Sequence, residues 1–526
     1  MYKKTTDRQI LLSEFNCPMG LTLDSDNRWV KKAALIPWNK IEERYAELFP
    51  GKNGVVAKPV RMALGALLIQ KTLNCSDREV VEQIRENPYL QFFIGLTEYT
   101  YTAPFVPSLL VEFRKRLNST ILADINEMII SASKPDEPQP PSPPTQPSPS
   151  SSESDSDSDS ASINVSAADS SRNEGNKDTA NEGTLILDAT CAPQKIAYPQ
   201  DVRLLNTARE KAEHLVRKLY KALGQNTPRM YPRKAHKDWL SYARSRRHTR
   251  KKLREAKRRQ LNYIRRNLRY IDELFQSVQT VQSVQTVQTV RAETFLSEKQ
   301  LQMLETIRTV YAQQLEMYKE NKRKVADRIV SLEQPYIRPI VRGKAKAPVE
   351  FGVKFDLSVT NGFCRVEYMS FNAYNESSVL VQAVERYKER EGHYPVRILA
   401  DKIYRNRANL QYCKERGIRL SGPALGRPRK DAERDRKQEY KDNTDRIEVE
   451  RQFSVCKGSF GLGLITTRLA ETTFSSVLLS IIAMNVDKMT RTILSANFDL
   501  VVFREVIWVP QKEFRGLFGD FSLLAA

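Results

Sequence analysis

Histidine is nearly missing from this chain. Only His214, His236, His248 and His393 occur in 526 residues, none at metal-ligand spacing, so any bound metal has to rest on carboxylates. Cysteine is sparse and scattered. Cys17, Cys75, Cys191, Cys364, Cys413 and Cys456 form no Cys-x2-Cys pair, which argues against zinc fingers and a disulfide framework and for reduced thiols in a cytoplasmic, nucleoid-associated protein. Long apolar runs are lacking as well: no stretch reaches 18 residues, and the opening MYKKTTDRQI has no apolar core of a signal peptide, so no membrane partner is expected. Acid is in short supply. Lys and Arg number 84 against 63 Asp and Glu, for a net charge of +21 and a pI near 9.6. Such a surface attracts polyanions, nucleic acid first among them.

What is present divides the chain by texture. Residues 1–133 read as an all-α domain of short helices, with starts at Pro59-Val60, at Ser76-Asp77 (Asp77 as cap) and at Pro107-Ser108. The pattern suits a helix-turn-helix-like DNA-binding module or a dimerisation domain equally. Residues 134–182 are a linker, rich in Pro and then in Ser and Asp, which cannot bury enough apolar surface to fold. From residue 183 a strand texture begins with TLILDAT, an apolar run that ends on Asp188. Residues 203–345 interrupt it with a basic helical insertion. Between Arg244 and Arg269 half of the positions are Lys or Arg, Glu255 is the lone acid, and Tyr242, Tyr263 and Tyr270 are interleaved. Helices so one-sided in charge need external counter-charge, which a phosphate backbone supplies. The nucleic-acid-binding candidates are Lys195, Arg203, Arg246, Arg247, Arg250, Lys251, Lys252, Arg254, Arg258 and Arg259, with Lys402, Arg405, Arg407 and Asn443 further on. The valine repeat at 277–290 has a period of three, fits neither helix nor strand, and is expected to be a surface loop or distorted helix.

Strands resume at Val349. Two alternating runs flank Asn361-Gly362, a strong hairpin signal. A helix over 377–391, a strand ending on Asp401, a helix closed by Gly417 and a strand at IRLSGP follow, and FDLVVF and VIWVP look like late edge strands. The order predicts an α/β domain over 183–526 with a mixed five-stranded sheet flanked by helices. A carboxylate at the end of a buried strand is costly unless paired or metal-bound, and Asp188 and Asp401 both sit so.

The stretch NTDRIEVERQFSVCKGSF, 443–460, is predicted to be a helix opened by an Asp445/Glu448 capping box. Arg446, Glu450 and Lys457 then share one polar face, and Phe453 and Phe460 a neighbouring apolar stripe. If the two strands are neighbours, Glu450 completes a three-carboxylate cluster suited to two Mg²⁺ or Mn²⁺ ions, which support in-line phosphoryl displacement by water or a DNA 3′-hydroxyl.

With LILDAT around Asp188, ILADKIY around Asp401 and RIEVERQFSVCKGSFGL around Glu450, the chain resembles the DDE transposases of bacterial insertion sequences, whose catalytic core is RNase H-like. Their Tyr-x2-Arg-x3-Glu-x6-Lys signature is matched at Arg446, Glu450 and Lys457, with Asn443 in the tyrosine position. YPQD after Asp188 and VRGKAKAPVEFGVKF extend the likeness. The resemblance implies that Asp188, Asp401 and Glu450 hold the metals, that Arg446 and Lys457 hold DNA near the cut, and that the enzyme cleaves at terminal inverted repeats and transfers strands as a homodimer on double-stranded DNA, with no small-molecule substrate. A domesticated DNA-binding protein and a plain metal-dependent nuclease of the same fold are the alternatives.

Overall fold

The computed structural model describes residues 1–4, 11–20, 22–51, 56–133, 180–282, 295–341, 349–423, 425–426 and 436–507, with backbone alone for 277–282 and 493–507. The linker, apart from its last residues 180–182, and most of the valine repeat lie outside them.

One strand organises the chain. β1 (Thr184–Pro193) is flanked on one side by β3 (Val349–Thr360), antiparallel, and on the other by β5 (Arg397–Ala400), parallel, with β6 (Arg419–Leu420) parallel beyond it. β3 turns back into β4 (Phe363–Ser370) through Asn361 at φ 52° and Gly362 at φ 78°. Two successive left-handed residues make the tight turn that matches strand twist, and Asn-Gly tolerates it best. The sheet has six strands rather than the expected five. At twelve residues β3 outreaches its hairpin partner, and the short β2 (Pro339–Val341) pairs the part left over, Val349–Phe351.

Alternation along β1 feeds two different cores. Leu185 and Leu187 pack with α12 (Leu380–Glu391) and α13 (Arg407–Glu415), through Leu380, Val384, Tyr387 and Cys413. Ile186 and Ala192 face the other way, with Phe355, Leu357 and Leu399, against Val449, Phe453, Cys456 and Phe460. Those four come from α14 (Arg436–Ser459) and the residue after it, at the spacing of one helical stripe. Each such side chain contributes about 1.5–3 kcal/mol on burial.

α14 starts earlier than predicted. Asp445 does not cap it. Its carboxylate accepts from Arg397 of β5 at 2.7 Å, while Glu448 binds Arg451 and Gln452. The stretch 436–444 has no Gly or Pro to stop the helix from extending back to Arg436. FDLVVF, expected as a strand, continues α15 (Ala470–Ile507), since nothing in the preceding helix breaks it.

The N-terminal helices are α1 (Arg28–Leu35), α2 (Trp38–Ala46), α3 (Val60–Leu73), α4 (Asp77–Glu86), α5 (Pro88–Phe93), α6 (Leu109–Arg116) and α7 (Ser119–Ala132). Ser76, not Asp77, caps α4. Their buried residues fall in one cluster with Val477, Leu478, Ile481 and Ile482 of α15 and with the α14 face of the sheet. Lys32 of α1 reaches Asp487 of α15 at 2.8 Å.

Among the described residues the insertion holds four helices: α8 (Asp201–Ala222), α9 (Pro232–Ala243), α10 (Arg250–Gln282) and α11 (Glu298–Lys319). They pack without external counter-charge. Leu261, Ile264, Leu268 and Ile271 of α10 form an apolar stripe in a core of their own, and the basic residues ride outside it. Internal acids serve as well: Asp201 binds both Lys257 and Arg328.

Candidate active site

Asp188 lies in the middle of β1, not at its end. Pairing with β3 continues to Pro193, but pairing with β5 stops at Leu187↔Ala400. The next step in that register sets Asp188 beside Asp401, at the point where the two parallel strands diverge. Alternation with Ile186 and Leu399 turns both carboxylates toward the α14 face. Asp401 is exposed and caps a short 3₁₀ turn, Lys402–Tyr404, accepting from the Lys402 N–H at 2.7 Å.

α14 brings the remaining groups to the same face. Its buried stripe fixes the rotation, and Arg446, Glu450 and Lys457 border that stripe. Lys457 Nζ donates to the Thr190 hydroxyl at 2.8 Å, two residues along β1 from Asp188. Arg446 Nη2 lies 3.2 Å from Glu450 Oε1. The N-terminal half of α14 is held by charge: Asp442, buried, binds Arg397 at 3.2 Å, Arg419 at 2.5 Å and Gln438 at 2.9 Å. Burial works to raise the Asp442 carboxyl pKa, but these bonds hold it below the usual carboxylate range.

Asp188 moves the opposite way. Burial pushes its carboxyl up to about 6; the Ala189 N–H and Arg446 pull it down, and Glu376 and Asp401 push it further up. Arg446 therefore lies within electrostatic reach of Asp188 while ion-paired to Glu450, and it links the Asp188 carboxylate to the helix carboxylate. Among the described residues no three His, Cys, Asp or Glu side chains are gathered closely enough to hold a metal ion. A donor set of carboxylates suits hard divalent cations. Asp188 and Asp401 offer such donors on neighbouring strands, and the third carboxylate of the predicted set, Glu450, is ion-paired to Arg446.

A buried polar network behind the site escaped the sequence reading. Asp356 of β3 is fully buried and accepts from the hydroxyls of Tyr374 and Tyr404, the latter at 2.6 Å. Burial raises its carboxyl to about 6. Lys354 binds Glu376 at 2.8 Å, and Asn409 Nδ2 donates to the carbonyls of Ser377 and Tyr404. The turn that carries Asp401 is thereby tied to β3. The signal was there in Lys354, Asp356 and Ser358, polar at every second position of a strand whose other face is apolar.

The predicted nucleic-acid contacts divide. Arg246, Arg247, Arg250, Lys251 and Arg258 are exposed on the insertion, Lys402 and Arg407 beside Asp401, and Asn443 on α14. Lys195 and Arg203 line one cavity of about 610 Å³. Others are engaged internally. Arg405 clamps the Leu420 and Ser421 carbonyls at 2.5 and 2.8 Å, Arg254 lies over the Tyr318 ring, Arg259 binds Asp238 and Glu255, and Lys252 reaches Ser245.

Fold and site define a mixed-sheet α/β protein in which the strand of Asp188 meets a helix that carries Arg446, Glu450 and Lys457. Comparison with known families then places it. Residues 398–487 match the transposase DDE domain, and residues 21–116 match a transposase domain (DUF772). Both matches are to transposase domains, and together they indicate an insertion-sequence DDE transposase. Asp401, Arg446, Glu450 and Lys457 fall within the first match; Asp188 precedes it. The chain is also 31% identical over 104 residues to an uncharacterized protein, ORF8 in the nfe locus of Rhizobium meliloti, which spans 20% of this chain and 50% of that one. The chain thus covers about half the length of that relative. No solved structure matches it. Among the described residues no helix is long and apolar enough to cross a membrane.

Proposed function

We propose that the chain is a cytoplasmic, nucleoid-associated transposase that binds the terminal inverted repeats of its element, cuts the DNA there and joins the ends to a target by two-metal phosphoryl transfer. The observation that carries this is the step of register that sets Asp188 beside Asp401 on the face where α14 presents Glu450 and Lys457. Strand order, with β1 central, β3 and β4 antiparallel on one side and β5 and β6 parallel on the other, supports an RNase H-like core.

Asp188, Asp401 and Glu450 would hold two Mg²⁺ or Mn²⁺ ions, which when bound activate the attacking oxygen and stabilise the leaving one. The chain's own groups do the rest. Arg446 turns from Glu450 to a DNA phosphate, and Lys457, held by Thr190, keeps a positive charge beside the scissile phosphate. The basic outer face of the insertion and the N-terminal helices grip the duplex on either side. Two copies on paired ends make the working assembly a homodimer.

The test uses the full chain with duplexes ending in the repeats that flank its gene. Mg²⁺- or Mn²⁺-dependent nicking that disappears in Asp188→Asn, Asp401→Asn and Glu450→Gln supports the reading. Nicking without joining of pre-cleaved ends would leave a plain nuclease, and binding without nicking a DNA-binding protein.

A further inference from the structure

Two cavities lie side by side at the end of β1 away from the carboxylates. One, of about 610 Å³, lies between the loop after β1, the start of α8 and residues 330–334. The other, of about 630 Å³, lies between α3, α4 and α6 of the N-terminal region and the loop that joins α14 to α15. Lys195, Thr466 and Arg468 line both, so the two form one trough.

The trough is cationic. Lys195 and Arg468 stand at the shared wall, Arg203 at one end, and Lys71 and Arg114 on the floor of the other. Two acids line it, and each is engaged: Asp77 by Arg114, and Glu333 by a loose, exposed contact with Arg468 at 3.9 Å. The floor is the informative part. Lys71 is 8% exposed and donates to the neutral Ser476 hydroxyl at 2.6 Å, with Arg114 as a charged neighbour. Burial, and then Arg114, pull its amine down to about 8. A buried ammonium beside a guanidinium is costly unless an anion answers it, and Asp77 is shared between the two. The positive end of α15, entered through Leu469 and Thr472 on the cavity wall, adds to the same field.

The trough is also wired to the carboxylates. Ile465 N–H donates to the Pro193 carbonyl and Lys195 N–H to the Ile465 carbonyl, each at 2.8 Å, so the loop after α14 extends the pairing of β1. An anion held here would press together the strand that carries Asp188, the helix that carries Glu450 and the N-terminal helices.

We infer that this trough is a phosphodiester-binding site, in which a DNA strand outside the point of cleavage lays its phosphates across Lys195 and Arg468 and seats one of them over Lys71. The inference rests on the transposase reading and adds to it where the strand runs.

Lys71→Met tests it, because the structural and functional readings predict opposite signs. Removing a buried charge should leave Tm equal or higher. Duplex DNA affinity should nevertheless fall several-fold, and the slope of log K against log salt should drop by about 1. Lys195→Gln with Arg468→Gln, both at the mouth, should lower the slope by about 2. Arg250→Gln with Lys251→Gln on α10 is the comparison pair. Wild-type binding of duplex DNA that is unchanged in affinity and salt slope by the trough variants would overturn the site. So would stabilisation of the wild type by inorganic phosphate, absent in Lys71→Met, with DNA affinity unaltered. A chain that binds no duplex DNA at all would instead sink the transposase reading itself.

Discussion

Lys457 donates from Nζ to the Thr190 hydroxyl at 2.8 Å, and that one bond joins the helix of Glu450 to the strand of Asp188. The two residues are 267 apart in sequence, on elements that share one apolar cluster, with Ile186 and Ala192 from the strand and Phe453 and Cys456 from the helix. Their roles separate on mutation. Lys457→Ala removes a positive charge beside the proposed scissile phosphate and should slow cleavage about 100-fold. Thr190→Val keeps the charge and should cost about 0.5–1.5 kcal/mol of stability with most of the rate retained. Single-turnover cleavage and urea unfolding of both variants check the pair.

Asp356 should matter to stability although it faces away from the substrate side. It is fully buried and rests on two tyrosine hydroxyls. Tyr404→Phe leaves that carboxylate with Tyr374 alone, at a cost of about 1–3 kcal/mol. Because Tyr404 ends the turn begun by Asp401, divalent-ion affinity should fall as well. Calorimetric titration with Mn²⁺ and a urea melt measure the two effects, and a variant as stable as wild type would show that the network is not holding the turn.

Asp188 predicts a specific pH dependence. Its folded carboxyl lies near 6, above the ordinary 3.8. A raised folded pKa gives stability that is fully present below the unfolded value and lost as pH rises through the folded one. Wild type should therefore lose up to about 3 kcal/mol between pH 4 and 6 relative to Asp188→Asn. Asp356, shifted the same way, is present in both proteins and cancels in the difference. Asp442 runs opposite: its lowered pKa gives stability present above the unfolded value and lost as pH falls. Urea melts of the pair from pH 4 to 7 show the trend, and parallel curves would contradict it.

Much of this was legible in sequence because the signals were local. The Asn361-Gly362 turn, the apolar runs before Asp188 and Asp401, and the stripe of Phe453 and Phe460 each depend on a few neighbouring residues. What escaped depends on partners far along the chain. Asp445 looks like a cap until Arg397 is seen to claim it. The insertion looks unable to pack until its apolar stripe is set against α8 and α11. The strand-like FDLVVF is overruled by a helix already under way, and β2 exists only because β3 outruns β4. Asp356 could be read as polar, but its two tyrosines arrive from positions 374 and 404.

Arg446 gives the prediction that most directly tests how the site is assembled. It lies 3.2 Å from Glu450 and within electrostatic reach of Asp188, so it occupies, in charge, the place that the proposed divalent ions would take. A guanidinium there competes with a metal for the same carboxylates, and at an effective dielectric near 20 such an interaction is worth about 3–4 kcal/mol at contact, less once solvent screens it. Arg446→Ala should therefore bind Mn²⁺ more tightly, by about tenfold, an expectation of about 1.4 kcal/mol. It should also cleave DNA more slowly, since the phosphate loses its guanidinium partner. Tighter metal and slower chemistry from one substitution is a combination that mere loss of fold does not produce. Isothermal titration with Mn²⁺ beside a cleavage assay reads both, and weaker metal binding in Arg446→Ala would mean that Arg446 orders the carboxylates instead of competing for them.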